Sequence, residues 1–270
     1  MDAEAGWLGL AGAICAVTGA AGGLGRAVAL GLAEAGAQLA LLDRDMEGLA
    51  ATAAALPPGQ PPPLLLPSDV SDEAAVRAAA SRSAADLGPC TVLVNTAALL
   101  RPGALESLPL ADWNAMLAVN LTGYLLCAQA FGAQMLRAGQ GRLVHLSSIA
   151  GSHAQAGSGA YSVSKAGVTM LSRQLALEWG PRGLRSNVVS PGLVVTPMSQ
   201  PFYDTPGVME KRSAAVPLRR VGRPPDLRDA VLFLASPRSA YVNGEELVVD
   251  GGFSQGLMGL VPRPGHGDAA

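Results

Sequence analysis

Short apolar runs alternate with longer helical stretches along almost the whole 270-residue chain. The runs at 13–17, 38–42, 63–66, 91–94, 142–146, 185–189 and 246–249 have the length and the Val/Leu content of buried strands. Between them, 24–35, 46–56, 72–87, 110–138, 160–179 and 226–235 read as helices. Such alternation predicts an α/β fold: a doubly wound parallel sheet of about seven strands with helices on both faces. The 110–138 stretch is too long for one ordinary helix, so a break is expected near Asn120. Pro57 to Pro63 form a stiff loop before the third strand and Pro67 closes it, which places that strand at a sheet edge. Six prolines in 193–225, with few strand or helix signals, suggest a long functional loop, a substrate lid. One domain over 10–253 follows, with a short extension (1–9) before it and a Gly/Pro-rich, mobile tail (254–270) after it.

Composition narrows the field. A net charge of −2 and no block of Lys or Arg argue against a nucleic-acid or anionic-membrane partner. No uninterrupted apolar run of about 18 residues is present, so no membrane span is expected. Met1-Asp2-Ala3-Glu4 lacks the positive region of a secretory signal, and a cytoplasmic location is expected. Cys15, Cys90 and Cys127 are scattered and read as small buried residues. His145, His153 and His266 show no metal-ligand spacing, so no metal is expected.

Three segments carry chemistry. The first strand runs into Thr18-Gly19-Ala20-Ala21-Gly22-Gly23-Leu24-Gly25 and then a helix. Glycines let backbone approach a pyrophosphate, and the helix N-terminus offers free N–H groups. The second strand ends at Asp43, eighteen residues past Gly25, near the spacing of a ribose-binding acid. A carboxylate there favours NAD and repels the 2′-phosphate of NADP; Arg44, next in sequence, keeps NADP possible. Tyr161 and Lys165 stand one helical turn apart, and the chain has only two lysines, Lys165 and Lys211. A phenol titrates near 10, and an adjacent ammonium lowers that value, which suits a general acid/base working with a nicotinamide. Ser147 and Ser148 end the fifth strand, where a hydroxyl faces the ligand crevice, and chemistry alone does not separate them.

Together these segments resemble the short-chain dehydrogenase/reductase family over about residues 10–253. The match includes TGAAGGLG at 18–25, Asp69-Val70, Asn95-Thr96-Ala97-Ala98, Asn120 within AVNLTG, Ser148, the YSVSK segment, Pro191-Gly192 and Val249-Asp250-Gly251-Gly252. The resemblance implies a Rossmann-like single domain, commonly tetrameric, so a homotetramer or homodimer is expected. It implies that Tyr161 is the acid/base, that Lys165 also binds the nicotinamide ribose, and that Ser148 rather than Ser147 orients the substrate. It implies that the Asn120 backbone holds a water in a proton relay. Gly19, Gly22, Gly23, Leu24, Gly25, Asp43, Arg44, Asp69, Val70, Asn95, Ala97, Pro191, Gly192, Val194 and Thr196 would surround the cofactor, with Asp69 and Val70 at the adenine and Thr196 at the carboxamide. Ala98 departs from the family's glycine there. The Tyr161–Lys165 spacing differs from the wider one of the enoyl-reductase branch.

The expected activity is NAD(H)-dependent interconversion of a secondary alcohol and a ketone. The alternatives are an NADPH-dependent carbonyl or 3-oxoacyl reductase and, more remotely, a non-catalytic dinucleotide sensor. The lid side chains Met198, Phe202, Tyr203, Val208 and Met209, with His153 and Gln155 after Ser148, point to a moderately hydrophobic or cyclic substrate.

Overall fold

The computed structural model describes residues 6–260. Its strands are β1 (Ile14–Thr18), β2 (Gln38–Asp43), β3 (Leu64–Pro67), β4 (Val92–Asn95), β5 (Gly141–Leu146), β6 (Leu184–Pro191) and β7 (Glu246–Val249). They form one parallel sheet in the order β3-β2-β1-β4-β5-β6-β7. Both faces of the sheet are covered, which is why its strands read as continuous apolar runs. In β2, Leu39 and Leu41 join one core with Val28 and Leu32 of α1 (Gly23–Glu34) and Val231 and Leu234 of α9 (Pro224–Ala235). Ala40 and Leu42 of the same strand face the other core, with Val76 and Ala79 of α3 (Glu73–Asp86) and Phe131 and Met135 of α5 (Gly123–Ala138). Strand β3, hemmed by prolines, is the sheet edge, as expected.

The remaining helices are α2 (Met46–Ala54), α4 (Leu110–Leu117), α6 (Tyr161–Trp179), α7 (Gln200–Tyr203) and α8 (Val208–Ala215). The break expected near Asn120 is a π turn, Ala118–Thr122, between α4 and α5. A π turn inserts one residue without ending the helix, so the helix runs on while its apolar face shifts in phase. By length and composition the 29-residue segment Leu110–Ala138 could cross a membrane. Cys127, Phe131 and Met135 lie fully buried against the sheet, which accounts for its apolar character.

The 193–225 stretch is more ordered than its prolines suggest. Pro201 falls in the first turn of α7, and Pro224 and Pro225 open α9 two residues before the expected start. Proline is tolerated there because the first helical N–H groups have no partner inside the helix. Asp226 secures the α9 start by accepting from the Arg223 backbone N–H at 2.7 Å and from the Arg220 guanidinium at 2.7 and 2.8 Å. After β7, Phe253–Leu260 forms 3₁₀ turns. Met1 to Ala5 and most of the expected tail, with His266, lie outside the described residues.

Candidate active site

The sheet order reverses at β1, whose neighbours are β2 and β4. Connections leave in opposite directions there, opening a crevice at the strand carboxyl ends. A cleft of about 580 Å³ occupies it, lined by the glycine turn, by the ends of β2 to β6 and by the lid.

At one end stands the glycine turn. Gly19 has φ +69°, and a Cβ on it would lie 2.7 Å from the Ala97 backbone nitrogen. At Gly25 a Cβ would come within 2.1 Å of the Gly19 carbonyl oxygen. Only glycine allows this turn to fold so tightly onto α1. Gly22 differs: a Cβ there meets nothing within 4 Å, so its missing side chain leaves open space beside the cleft it lines. The Asp43 carboxylate closes this end, accepting from the Ala21 N–H at 3.1 Å and the Asp45 N–H at 3.1 Å. Arg44, Asp69 and Val70 line the same end. Hydrogen bonds from Ser71 hold the Asp69 carboxyl below its ordinary value, with the nearby Arg44 charge adding to the effect.

The chemical centre lies midway. Tyr161 opens α6 and is partly exposed. Burial raises the phenol above its usual range, and a hydrogen bond from Ser148 counters part of that rise. Lys165 is buried one turn on, with Nζ 5.7 Å from the Tyr161 ring centroid. Its Nζ donates to the Leu146 carbonyl at 2.8 Å and to the Tyr124 hydroxyl at 3.4 Å. Burial pulls the ammonium down to about 7. Ser147 and Ser148 separate cleanly here. Ser147 Oγ donates to the Lys165 carbonyl at 2.8 Å, whereas Ser148 turns to the cleft and the phenol.

Most residues singled out from the sequence come together in this cleft: Gly19, Gly22, Gly23, Leu24, Gly25, Asp43, Arg44, Asp69, Val70, Ala97, Ser148, Gln155, Tyr161, Lys165, Pro191, Gly192, Val194, Thr196, Met198, Phe202 and Tyr203. Val208 and Met209 do not line it. Two other expectations need correction. Asn95 is fully buried behind the cleft, accepting from Thr18 Oγ1 at 3.4 Å and donating to His145 Nδ1 at 3.1 Å and the Tyr124 carbonyl at 3.4 Å. Its side chain ties β1, β4, β5 and α5 together and does not line the cleft. His153 follows the 149–151 turn, where its N–H donates to the Ile149 carbonyl at 2.8 Å, and it is exposed and does not line the cleft. Asn120 is also buried, its side chain accepting from the Leu99 N–H at 2.7 Å and donating to the Leu99 carbonyl at 2.9 Å and Ser164 Oγ at 3.1 Å. That leaves only its backbone for any catalytic part. Ala98 sits in the cleft wall in an ordinary backbone conformation, since Arg219 is the one described non-glycine residue with positive φ. The methyl is therefore accommodated.

Tyr124 and Arg212 did not stand out in the sequence. Tyr124 follows Asn120 by four residues, an offset that gives no hint of its contact with Lys165. Arg212 lies in the lid, among residues whose spacing gave no helix signal.

A nucleotide-sized cleft at a switch point, with a phenol, an ammonium and a hydroxyl converging midway, defines a dinucleotide-dependent α/β oxidoreductase. A family model described as enoyl-(acyl carrier protein) reductase matches residues 19–254. D-threitol dehydrogenase from Mycolicibacterium smegmatis is 41% identical over 246 residues, covering 91% of this chain and 94% of that protein. Cis-4-hydroxycyclohexanecarboxylate dehydrogenase from Sinomonas cyclohexanicum is 38% identical over 242 residues, covering 89% and 96%. The crystal structure of a gluconate 5-dehydrogenase from Burkholderia cenocepacia, in complex with NADP and tartrate, superposes with a TM-score of 0.86 at 32% identity, covering 91% of this chain and 96% of that one. The chain belongs to the short-chain dehydrogenase/reductase family and is an oxidoreductase acting on CH–OH donors.

Proposed function

We propose that this protein interconverts a secondary alcohol and its ketone with NAD(H), using Tyr161 as general acid/base. The observation that carries the reading is the meeting of Tyr161, Ser148 and Lys165 in one cleft with the glycine turn. The residues present fit a dinucleotide: tight backbone at Gly19 and Gly25, open space at Gly22, and a carboxylate at the far end. The turn and the α1 N-terminus would hold the pyrophosphate, Asp43 the adenosine ribose, Asp69 and Val70 the adenine. Ala97, Pro191, Gly192, Val194 and Thr196 would flank the nicotinamide half. When bound, the nicotinamide supplies the hydride acceptor or donor.

The protein's own groups do the rest. Ser148 Oγ holds the substrate oxygen beside the phenol. In oxidation Tyr161 takes the carbinol proton; in reduction it gives a proton to the carbonyl oxygen. A protonated Lys165 favours the phenolate against the burial that otherwise raises it. The Asn120 side chain is committed to Leu99 and Ser164, so the backbone carries its part of the proton relay. Met198 and Phe202 give the substrate end an apolar wall, which suits a moderately hydrophobic or cyclic alcohol. The name of the Sinomonas relative, a dehydrogenase of a ring-borne alcohol, favours the same reading; the polyol name of the Mycolicibacterium relative favours a more polar substrate.

One observation supports a second reading, an NADPH-dependent carbonyl or 3-oxoacyl reductase. Arg44 lines the adenosine end, and the Burkholderia neighbour was solved with NADP. One experiment separates the two. NAD and NADP are titrated into the wild type and Tyr161→Phe, and both are assayed by reduced-nicotinamide absorbance on a panel of secondary alcohols. Expected are tighter NAD binding and a loss of roughly 10²–10⁴ in turnover for the variant, with cofactor still bound. A strong preference for NADP overturns the role of Asp43, and wild-type turnover by Tyr161→Phe overturns the mechanism.

A further inference from the structure

The charges lining the cleft are unevenly placed. Asp43, Arg44 and Asp69 stand at the adenosine end, beyond β2 and β3. The remaining charged residues of the lining are Lys165 and Arg212, and no carboxylate of the lining stands at that end. Lys165 is committed, donating to the Leu146 carbonyl and the Tyr124 hydroxyl. Arg212 is not. It projects from α8 and is half-buried, and among the described residues no ion pair or hydrogen bond engages its guanidinium. Its contacts are aromatic: its Cζ lies 4.9 Å from the Tyr203 ring centroid and 5.4 Å from that of Phe202. A guanidinium stacked on rings is held in orientation while its in-plane N–H donors stay free, the geometry that grips a carboxylate with two parallel hydrogen bonds. Tyr203 adds an independent sign. It lines the cleft and is nine-tenths buried, yet its hydroxyl has no hydrogen-bond partner. A buried unpartnered hydroxyl is costly, and a polar ligand group settling under the lid would relieve it.

We infer that Arg212 and Tyr203 form an oxyanion subsite in the lid, and that the substrate is a secondary alcohol bearing a carboxylate. The carboxylate would bind under α8 while the carbinol reaches Ser148 and Tyr161. Met198 and Phe202 would pack the carbon frame between them. The inference rests on the dehydrogenase reading and narrows its substrate to hydroxy acids or the matching keto acids. A phosphate of the cofactor is the competing anion. The free N–H groups of the glycine turn and α1 already serve that group, which favours the substrate.

The test is equilibrium binding to the protein saturated with NAD. Cyclohexanecarboxylate and cyclohexanecarboxamide share shape and lack a carbinol, so calorimetry compares them without turnover. Wild type is expected to bind the acid at least tenfold more tightly than the amide. Arg212→Gln should abolish that preference, Arg212→Lys should keep part of it, and all three proteins should bind NAD alike. Equal or undetectable binding of both probes by wild type overturns the proposal, as does a preference that survives Arg212→Gln. A tenfold loss of NAD affinity in Arg212→Gln also overturns it, because the guanidinium would then serve the cofactor. Failure of the dehydrogenase reading looks different: the acid preference persists while no alcohol, charged or neutral, is turned over.

Discussion

Replacing Lys165 with methionine should abolish turnover and yet stabilise the protein. Lys165 is 1% exposed. Burial lowers its titration from 10.5 to about 7. In the unfolded chain the side chain titrates near its ordinary value. Between those two points the unfolded state holds a proton that the folded state lacks, so stability rises with pH across that window. The penalty is largest below pH 7 and gone above about 10.5. The gap of about 3.5 pH units between 10.5 and 7 corresponds to a full span of roughly 5 kcal/mol. At pH 7 about 4 kcal/mol of it is felt, and at pH 9 about 2 kcal/mol. Lys165→Met removes the penalty together with the hydrogen bond to the Leu146 carbonyl and the longer one, 3.4 Å, to the Tyr124 hydroxyl, a loss of about 1 kcal/mol carried mostly by the first. That carbonyl still accepts from the Tyr124 hydroxyl at 3.1 Å, so it is not left unpaired. The variant should therefore be more stable by about 3 kcal/mol at pH 7 and about 1 kcal/mol at pH 9. Urea unfolding of both cofactor-free proteins at the two pH values reads the difference, in which the titrating groups remote from Lys165 cancel. A variant less stable at pH 7, or a difference that ignores pH, would refute the reasoning. The Leu146 carbonyl and the two tyrosine rings would then hold the ammonium better than water does.

The glycine turn and the surface of α6 yield two more predictions. Gly22→Ala should keep the wild-type Tm, since its Cβ meets nothing in the protein, but weaken NAD and NADP alike; Gly25→Ala, whose Cβ would press on the Gly19 carbonyl, should lower stability by about 1–3 kcal/mol. Thermal melts and nucleotide titrations decide both, and unchanged binding by Gly22→Ala would remove the turn from the phosphate site. Val163, Met170 and Leu177 stand at sevenfold spacing on α6 and are 49%, 59% and 78% exposed, a stripe that a second copy of the chain should cover. Light scattering is expected to show a dimer or tetramer, with Met170→Glu shifting the mass downward; a stable wild-type monomer rejects the idea.

The order of elements was legible because the central strands are buried on both faces, and the helices between them have a different period. Residues such as Leu41 and Leu42 must both be apolar when α1 and α9 cover one face and α3 and α5 the other. The ends of those strands were equally legible. In a parallel sheet the residues around each strand's carboxyl end border the crevice, so Asp43 and the Ser147–Ser148 pair could be placed from sequence position, and Asp69, Pro191 and the choice of Ser148 from the family motifs that follow their strands. The lid was less so. Its prolines suggested an irregular loop, although Pro201 falls in the first turn of α7, where no N–H is needed.

Contacts set by register rather than by sequence were not legible. Asn95 ends β4 as Thr18 ends β1, and pairing sets them side by side, with His145 opposite on β5. That neighbourhood turns the amide into the sheet instead of the cleft, and nothing within the Asn95-Thr96-Ala97-Ala98 segment foretells it. Tyr124 meets Lys165 for a similar reason. The π turn at Ala118–Thr122 adds a residue before α5, so the faces of the two halves cannot be projected from one continuous helix. Arg212 follows the same logic at longer range. Its meaning comes from Phe202 and Tyr203 beneath it and from the absence of a carboxylate at that end of the cleft lining. An unpaired charge is a property of a neighbourhood. The chemistry that the whole family shares is thus written in local motifs, while the features that would select this chain's own substrate arise only when α7 and α8 fold over the cleft.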